Sequence, residues 1–403
     1  MNTTEAYNSI KKILLALPEA ERHTILGRLS TTMKTHNSSA ELLEKCRQSK
    51  VADDRMVCPK CGSVTVVRNG RKGGRQRYLC KNCRKSFGDT HGTLFFHSRL
   101  SADTWDKLIS LVVLNRSVRE IARDLHIHKN TALFNIHRIC TMLEQYANID
   151  GEFTSIVEAD EWYYPLSFSG MRDKEFFIYR LGRMPRHNRT RSEKIQYLED
   201  AGVDTSILDS IDQDSDLPSA SKQARFLNNL VSEEKHKRGI SNDLIAVLTC
   251  VDRNKSNITL PSCLGRITTK HITDGLGDSF ADDAVLVTDS HSAYRGYAKN
   301  NGIHLEQIPS GQHSKGPFNL ARVNSYHSRL SDINHHHKVV ASKYCAGYFA
   351  LYQWQDRHRT ETTKVKKEHI LDMACSKIKL FQRKHYGRRL LPFDTKGIVT
   401  TPV

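Results

Sequence analysis

Over residues 1 to about 35 and again over 101–143 the apolar positions recur every three or four residues, the period of helices packed on one face. Ile10, Ile13, Leu14 and Leu17, then Ile25, Leu26 and Leu29, predict a small helical pair over residues 1 to about 35, with Pro18 at a helix start. The stretch to Asp54, with Ser38-Ser39 and mixed charges, reads as a helix or a linker. Ser101 opens a second pattern through Trp105, Leu108, Ile109, Val112 and Val113. Ser117 opens a third through Val118, Ile121, Ala122 and Leu125, with Glu120 completing a capping box. After a turn at His126-Ile127-His128, Leu133, Ile136, Ile139, Cys140 and Leu143 line one face of a further helix. Lys129, Asn130, Thr131, Asn135 and Arg138 fill its other positions.

From Ser155 the period changes. Runs at 156–164, 175–179 and 244–251 read as strands, and 284–289 as a further buried strand followed by a helix over about 290–299. The interval 183–240 begins with Arg183, Arg186, Arg189 and Arg191, turns acidic from Asp204 to Asp216, and holds few large apolar runs. It reads as an insertion, partly helical at its end and partly mobile. Further on, Val323, Tyr326, Leu330 and Ile333 form a buried helical stripe, with Asn324, His327 and Ser331 on an adjacent face. Helical modules followed by a strand-rich region make a multidomain α+β and α/β chain.

At 403 residues and 38% hydrophobic content, the chain can hold two to four domains and at least one sizeable core. No run approaches the roughly 18 apolar residues of a membrane span, and Met1-Asn2-Thr3-Thr4-Glu5 lacks the start of an export signal. A cytoplasmic protein with no membrane partner is the expectation. The formal charge of +17 attracts polyanions, nucleic acid before membrane, because no amphipathic apolar face accompanies the basic clusters. Charge alone is weak support, since solvated Lys and Arg faces are common.

Two cysteine pairs sharpen that expectation. Cys58-Pro59-Lys60-Cys61 and Cys80-Lys81-Asn82-Cys83 have the spacing of a four-thiolate Zn²⁺ site, in which each two-residue gap lets both thiolates of a turn face one ion. A disulfide framework fits less well, for want of an export signal. Between the pairs, two short strands joined by a glycine-bearing turn would carry Arg71, Lys72, Arg75 and Arg77 at a cationic tip. The alternative is a knuckle that only staples a small fold. The helices that follow match a helix-turn-helix, whose last helix would offer Lys129, Asn130, Thr131, Asn135 and Arg138 to double-stranded DNA. A plain bundle with a solvated basic face is the competing reading.

Asp160 and Asp289 each end an apolar strand, where carboxylates can converge on hard divalent cations. Taken singly, each reads more readily as a solvated turn residue. Glu161 belongs to the opposite face of its strand from Asp160, whereas Glu158 shares that face as a supporting group. Asp332 and Glu306 are further carboxylates within reach in sequence, and His335-His336-His337 reads as a solvated or DNA-facing cluster.

The order of zinc ribbon, helix-turn-helix, Asp160-Glu161-Trp162-Tyr163 strand, Thr288-Asp289-Ser290 strand end and Val323-Asn324-Ser325-Tyr326-His327-Ser328-Arg329-Leu330 helix resembles bacterial zinc-ribbon insertion-sequence transposases. These belong to the DDE superfamily, and the likeness spans about 57–354. It implies an RNase H-like catalytic core with Asp160, Asp289 and His327 as metal ligands of an Asp-Asp-His subgroup, Asn324 one turn earlier, and Mg²⁺ or Mn²⁺ as the catalytic cofactor. It implies cleavage and strand transfer at the inverted repeats of an insertion sequence, a dimer or higher assembly on DNA, and association with the bacterial chromosome. Ser331 stands near where relatives commonly carry lysine. That departure keeps open an inactive DNA-binding regulator, beside a nuclease that cuts without joining. The implied domains are an N-terminal helical region (1–54), zinc ribbon (55–98), helix-turn-helix (99–150), RNase H-like domain (151–357, insertion about 183–240) and basic tail (358–403).

Overall fold

The computed structural model describes residues 11–72, 75–147, 153–185, 189–208, 222–232, 240–241, 243–337, 340–378, 386, 389–393 and 395, without the side chains at 20, 23 and 27–39. The chain divides into two compact units, 1–145 with 358–380, and 146–357 with 381–403.

In the first unit, residues 11–15 are helical and Pro18 precedes α1 (Glu19–Gln48). One long helix thus replaces the expected short second helix and linker. Glu19 and Glu21 in its first turn and Lys45 and Arg47 in its last complement the helix dipole. A hairpin of β1 (Val51–Ala52) and β2 (Arg55–Met56) follows, so the boundary expected at 54/55 falls inside paired strands. The ribbon is a three-stranded antiparallel sheet of β3 (Val66–Lys72), β4 (Arg75–Cys80) and β5 (Ser86–Gly88), with Tyr78 stacked on Phe87. Next come α2 (Ala102–Val113), capped by Ser101, α3 (Val118–Asp124), and α4 (Lys129–Gln145). The expected capping box is present: the Ser117 N–H donates to Glu120 Oε2 at 2.8 Å and the Glu120 N–H to Ser117 Oγ at 3.3 Å.

In the second unit, β6 (Ile156–Pro165) is followed by a π-helical turn (Phe176–Arg180), α5 (Arg191–Glu199) and α6 (Lys222–Val231). The run 175–179 is therefore not a strand. Phe176 and Phe177 pack edge-on against Phe168, with centroids 5.1 and 6.1 Å away, and a short apolar run takes whichever conformation buries it. Nor is 183–240 merely an inserted linker. Ile178, Met184, Leu198, Val203, Leu208, Leu227, Leu230 and Val231 form a core of their own. The mobile portion expected there falls largely on 209–221 and 233–239, outside the described residues.

The chain then runs through β7 (Leu244–Asp252), β8 (Asn257–Leu264), α7 (Thr269–Leu276), β9 (Val285–Thr288), α8 (Ser292–Asn301), β10 (His304–Gln307), α9 (Ala321–His336) and α10 (Cys345–Arg357). The mixed sheet has the order β10-β9-β6-β7-β8. β6, β7 and β8 are antiparallel, while β9 runs parallel to β6 and β10 parallel to β9. On one face Val157, Ala159, Leu248 and Cys250 pack with Ile272 of α7 and Tyr294 and Tyr297 of α8. α9 and α10 cover the other face, where Gln353 Oε1 accepts the Thr259 N–H at 3.1 Å. Cover on both sides explains why β7 is buried from Ile245 to Asp252 instead of alternating.

After α10 the chain returns to the first unit with α11 (Thr363–Cys375). The expected tail at 358–403 is thus corrected for its first part. Ile370, Ala374 and Cys375 are buried, the helix packs on α1, α2 and α4, and the Leu94 N–H donates to the Ala374 carbonyl at 2.9 Å. Lys367 pairs with Asp106 at 3.0 Å. The basic residues Lys379, Arg383, Lys384 and Arg388 lie outside the described residues. Among the described residues no helix is long and apolar enough to cross a membrane.

Ile370→Ala should lower denaturant stability of the first unit by about 2–5 kcal/mol, while exposed Glu368→Ala changes it by less than about 0.5 kcal/mol, measured by urea unfolding of the full chain.

Candidate functional site

The two cysteine turns bring four sulfurs together. Cys58 Sγ lies 3.7 Å from Cys83 Sγ and Cys61 Sγ 3.7 Å from Cys80 Sγ, and all four lie within 4.8 Å of one another. Four thiolates about 2.3 Å from a tetrahedral Zn²⁺ would be spaced about 3.8 Å apart, so the quartet fits that ion. Backbone N–H groups of Cys83 and Asn82 bring the Cys80 thiol down to about 6, favouring the thiolate a metal needs. Beyond the cysteines, Arg71, Lys72 and Arg75 are exposed on the β3–β4 hairpin, joined by Arg68. Arg77 is half-buried and donates to Ser86 Oγ at 2.5 Å.

The α3–α4 corner exposes fewer side chains than expected. His126 takes a left-handed conformation in the turn, and His128 Nδ1 accepts the Asn130 N–H at 3.2 Å, capping α4. Lys129 and Asn130 are exposed, with Thr131 half-buried. Asn135 and Arg138 are buried, which corrects their assignment as DNA contacts. Asn135 Nδ2 donates to the Thr131 carbonyl at 2.8 Å. The Arg138 guanidinium donates to the carbonyls of Leu94 and Phe96 and lies over Trp105. Exposed His126 and His128 also belong to this tip, marked in the sequence only by the turn position, and Leu133, expected on the apolar face of α4, is exposed.

In the second unit, Asp160 sits in mid-β6 opposite Thr249 of β7. Thr249 Oγ1 donates to the Asp160 carbonyl at 2.7 Å and lies 2.6 Å from His327 Nε2. With its proton committed to a carbonyl, the hydroxyl must accept from Nε2–H. Burial lowers the His327 pKa to about 4, so the ring is neutral and its Nδ1 lone pair faces Asp160 Oδ2, 3.9 Å away. Asp289, at the end of β9, is exposed, and its Oδ1 accepts the His291 N–H at 2.9 Å. Burial raises Asp160 to about 7, with the charges of Glu161 and Asp289 adding to the shift.

Glu161 was expected on the far face, and it stands beside Tyr294 of α8; burial raises it to about 7, with the Asp289 charge adding. It is a carboxylate near the site that strand alternation sets aside. Asp160, Asp289 and His327 do not close to the mutual spacing of the cysteine quartet. Asp160 and His327 nonetheless suit a divalent cation, which would keep ionised a carboxylate otherwise protonated near neutrality. Asn324 is exposed one turn before His327. Ser331 Oγ donates to the His327 carbonyl at 2.9 Å.

Glu158 explains how α9 is held. Fully buried on β6, its Oε2 accepts the Arg322 N–H at 2.7 Å and the Val323 N–H at 3.1 Å, two of the unpaired donors at the start of α9. Val323, Tyr326 and Leu330 form the buried stripe expected, and the Tyr326 hydroxyl bonds Thr259. Glu306 pairs with Lys315 at 2.7 Å and Asp332 is exposed, so neither completes the site. His335 and His336 are exposed as expected, but His337 stacks on Tyr352.

Two comparisons bear on this arrangement. Residues 52–84 match the family described as the InsA N-terminal domain, a zinc ribbon. Over 117 residues the chain is 30% identical to a protein described as an "uncharacterized protein in transposable element ISH50" of Halobacterium salinarum, a match covering 28% of this chain and 38% of that protein. The chain thus carries an InsA-type zinc ribbon and is related to insertion-sequence proteins.

Cys61→Ser should lower bound zinc by one ion per chain in native mass spectrometry. Glu158→Ala, which leaves two buried N–H groups unpaired, should cost roughly 1–3 kcal/mol in urea unfolding, with Glu158→Gln recovering much of the loss.

Proposed function

We propose that this chain is a DNA transposase that binds the inverted repeats of an insertion sequence, hydrolyses a strand at each element end, and joins the freed 3′ hydroxyl to target DNA. The observation that carries the proposal is the convergence of Asp160 and a neutral, lone-pair-bearing His327 through Thr249, with Asp289 felt from the adjoining strand. The sheet supports an RNase H-like reading, because three antiparallel strands are followed by two that run parallel to the first.

Asp160, Asp289 and His327 would hold Mg²⁺ or Mn²⁺. When bound, such ions supply Lewis-acid polarisation of the phosphodiester and a more acidic attacking water. The chain's own part is to fix His327 in one tautomer through Thr249, hold its helix through Glu158, and half-bury the Asp160 carboxyl. Cleavage would form a P–O bond from water as the P–O3′ bond breaks, leaving a 5′ phosphate on one strand end and a 3′ hydroxyl on the other, with the water's proton passing to solvent and the departing O3′ taking one up from it. Joining forms a new P–O3′ bond and releases the target's own 3′ hydroxyl. Arg71, Lys72 and Arg75 of the ribbon suit phosphate contact, and Lys129, Asn130 and Thr131 suit base edges. Pairing two ends calls for a dimer or higher assembly.

A regulator that retains only DNA binding is favoured by Ser331, which bonds within its own helix instead of offering a cation to the site.

Asp160→Ala and Asp289→Ala should each lower strand joining at least about a thousandfold while leaving end binding intact; unchanged joining would overturn the ligand assignment. A histidine ligand should favour Mn²⁺ over Mg²⁺. Asp160 and Glu161 titrate near 7, so Mn²⁺-dependent cleavage should rise from pH 6 to 8. Without metal, the folded chain holds these protons longer than the unfolded one, so stability should fall as pH climbs from the ordinary carboxylate range to 7.

A further inference from the structure

In the first unit, the turn at residues 358–361 is closed by the Glu361 N–H donating to the His358 carbonyl at 3.0 Å, and α11 begins two residues later. His369, in the second turn of α11, faces back to Glu361. His358 Nδ1 lies 2.9 Å from Glu361 Oε1, His369 Nε2 lies 3.4 Å from Glu361 Oε2, and the imidazole centroids are 5.0 Å apart. One ligand atom from each of the three comes within 4.8 Å of the others, a closure reached among the described residues only here and at the cysteine quartet.

We propose that His358, Glu361 and His369 bind a second zinc-class ion, Zn²⁺ foremost and Co²⁺ or Ni²⁺ in its place, separate from the ribbon. Two imidazoles and a carboxylate are a recurring zinc set, with room for water as a fourth ligand. Ligands about 2.0–2.2 Å from a tetrahedral ion are spaced about 3.4 Å apart, the separation of His369 Nε2 and Glu361 Oε2.

Glu361 Oε2 supplies a second, independent sign. It is shut off from solvent and has no hydrogen-bonding partner of acceptable geometry, although an imidazole nitrogen stands beside it. A cation between those atoms would satisfy both. The side chains are 25%, 32% and 45% exposed, which leaves a path for the ion. Bound there, it pins the turn at 358–361 to the second turn of α11, the helix that α1, α2 and α4 pack against.

The test is metal content of the full-length protein, dialysed against micromolar Zn²⁺ at pH 7.5. The proposal expects two zinc ions per chain, one in His369→Ala, one in His358→Ala, and two in the exposed-histidine control His335→Ala. Co²⁺ loading should add an absorption band without thiolate charge transfer that His369→Ala removes. In the variants, affinity for the second ion should fall more than about tenfold. A single zinc in the wild type, or two retained in both His358→Ala and His369→Ala, would overturn the site.

Discussion

The second unit depends on a carboxylate buried under a helix end. Glu158 occupies the central strand of the mixed sheet, where both strand edges are already paired, and its Oε2 bonds the start of α9 while Oε1 is buried without a hydrogen-bond partner among the described residues. A charge there is costly unless it is hydrogen-bonded, and the N–H groups of Arg322 and Val323 supply those bonds. The bonds fix where α9 begins along the sheet. They therefore fix where His327 falls, five residues beyond Arg322, against Asp160 and Thr249. Two residues along β6 separate Glu158 from Asp160, and the period of the strand puts both on the face that α9 covers.

That geometry was half legible in the sequence. Glu158 and Asp160 share a face by alternation, and Val323, Tyr326 and Leu330 announce the buried stripe of α9. The partner of each group is another matter. Thr249 sits inside an unbroken apolar strand, where nothing in the sequence marks a hydroxyl that sets a histidine tautomer. Glu161 was set aside by the same alternation rule that found Glu158. The rule gives the side of the sheet and is silent about Asp289, whose charge reaches across to both Asp160 and Glu161.

The misread segments share a cause. At 175–179, apolar and aromatic side chains satisfy strand and helix alike, and burial beside Phe168 decided for a π-helical turn. Arg138 looked like a reader of DNA because it lies off the apolar face of α4, yet the carbonyls of Leu94 and Phe96 need donors and take its guanidinium. Lysines dominate the start of α11, which hides the Ile370 and Ala374 spacing that packs it. Local patterns with one reading, such as the Ser117–Glu120 capping box and the cysteine pairs, were found in place. Patterns that long-range packing can overrule were not.

The path of the chain bears on how these parts came to share one protein. The larger segment of the second unit, 146–357, leaves and re-enters the first unit, and its two ends come together where Gln353 Nε2 donates to the Ala147 carbonyl at 2.8 Å. Segments that begin and end side by side can be accommodated between two helices of another unit without disturbing its core. α4 and α11 are those helices, and each is buried against the first unit on its own account. Substitution of Asp160 therefore removes none of the side chains that fold the ribbon and the α3–α4 corner. Under the proposed function, a DNA-binding regulator and an active transposase would then differ by a few side chains around β6 and not by the fold.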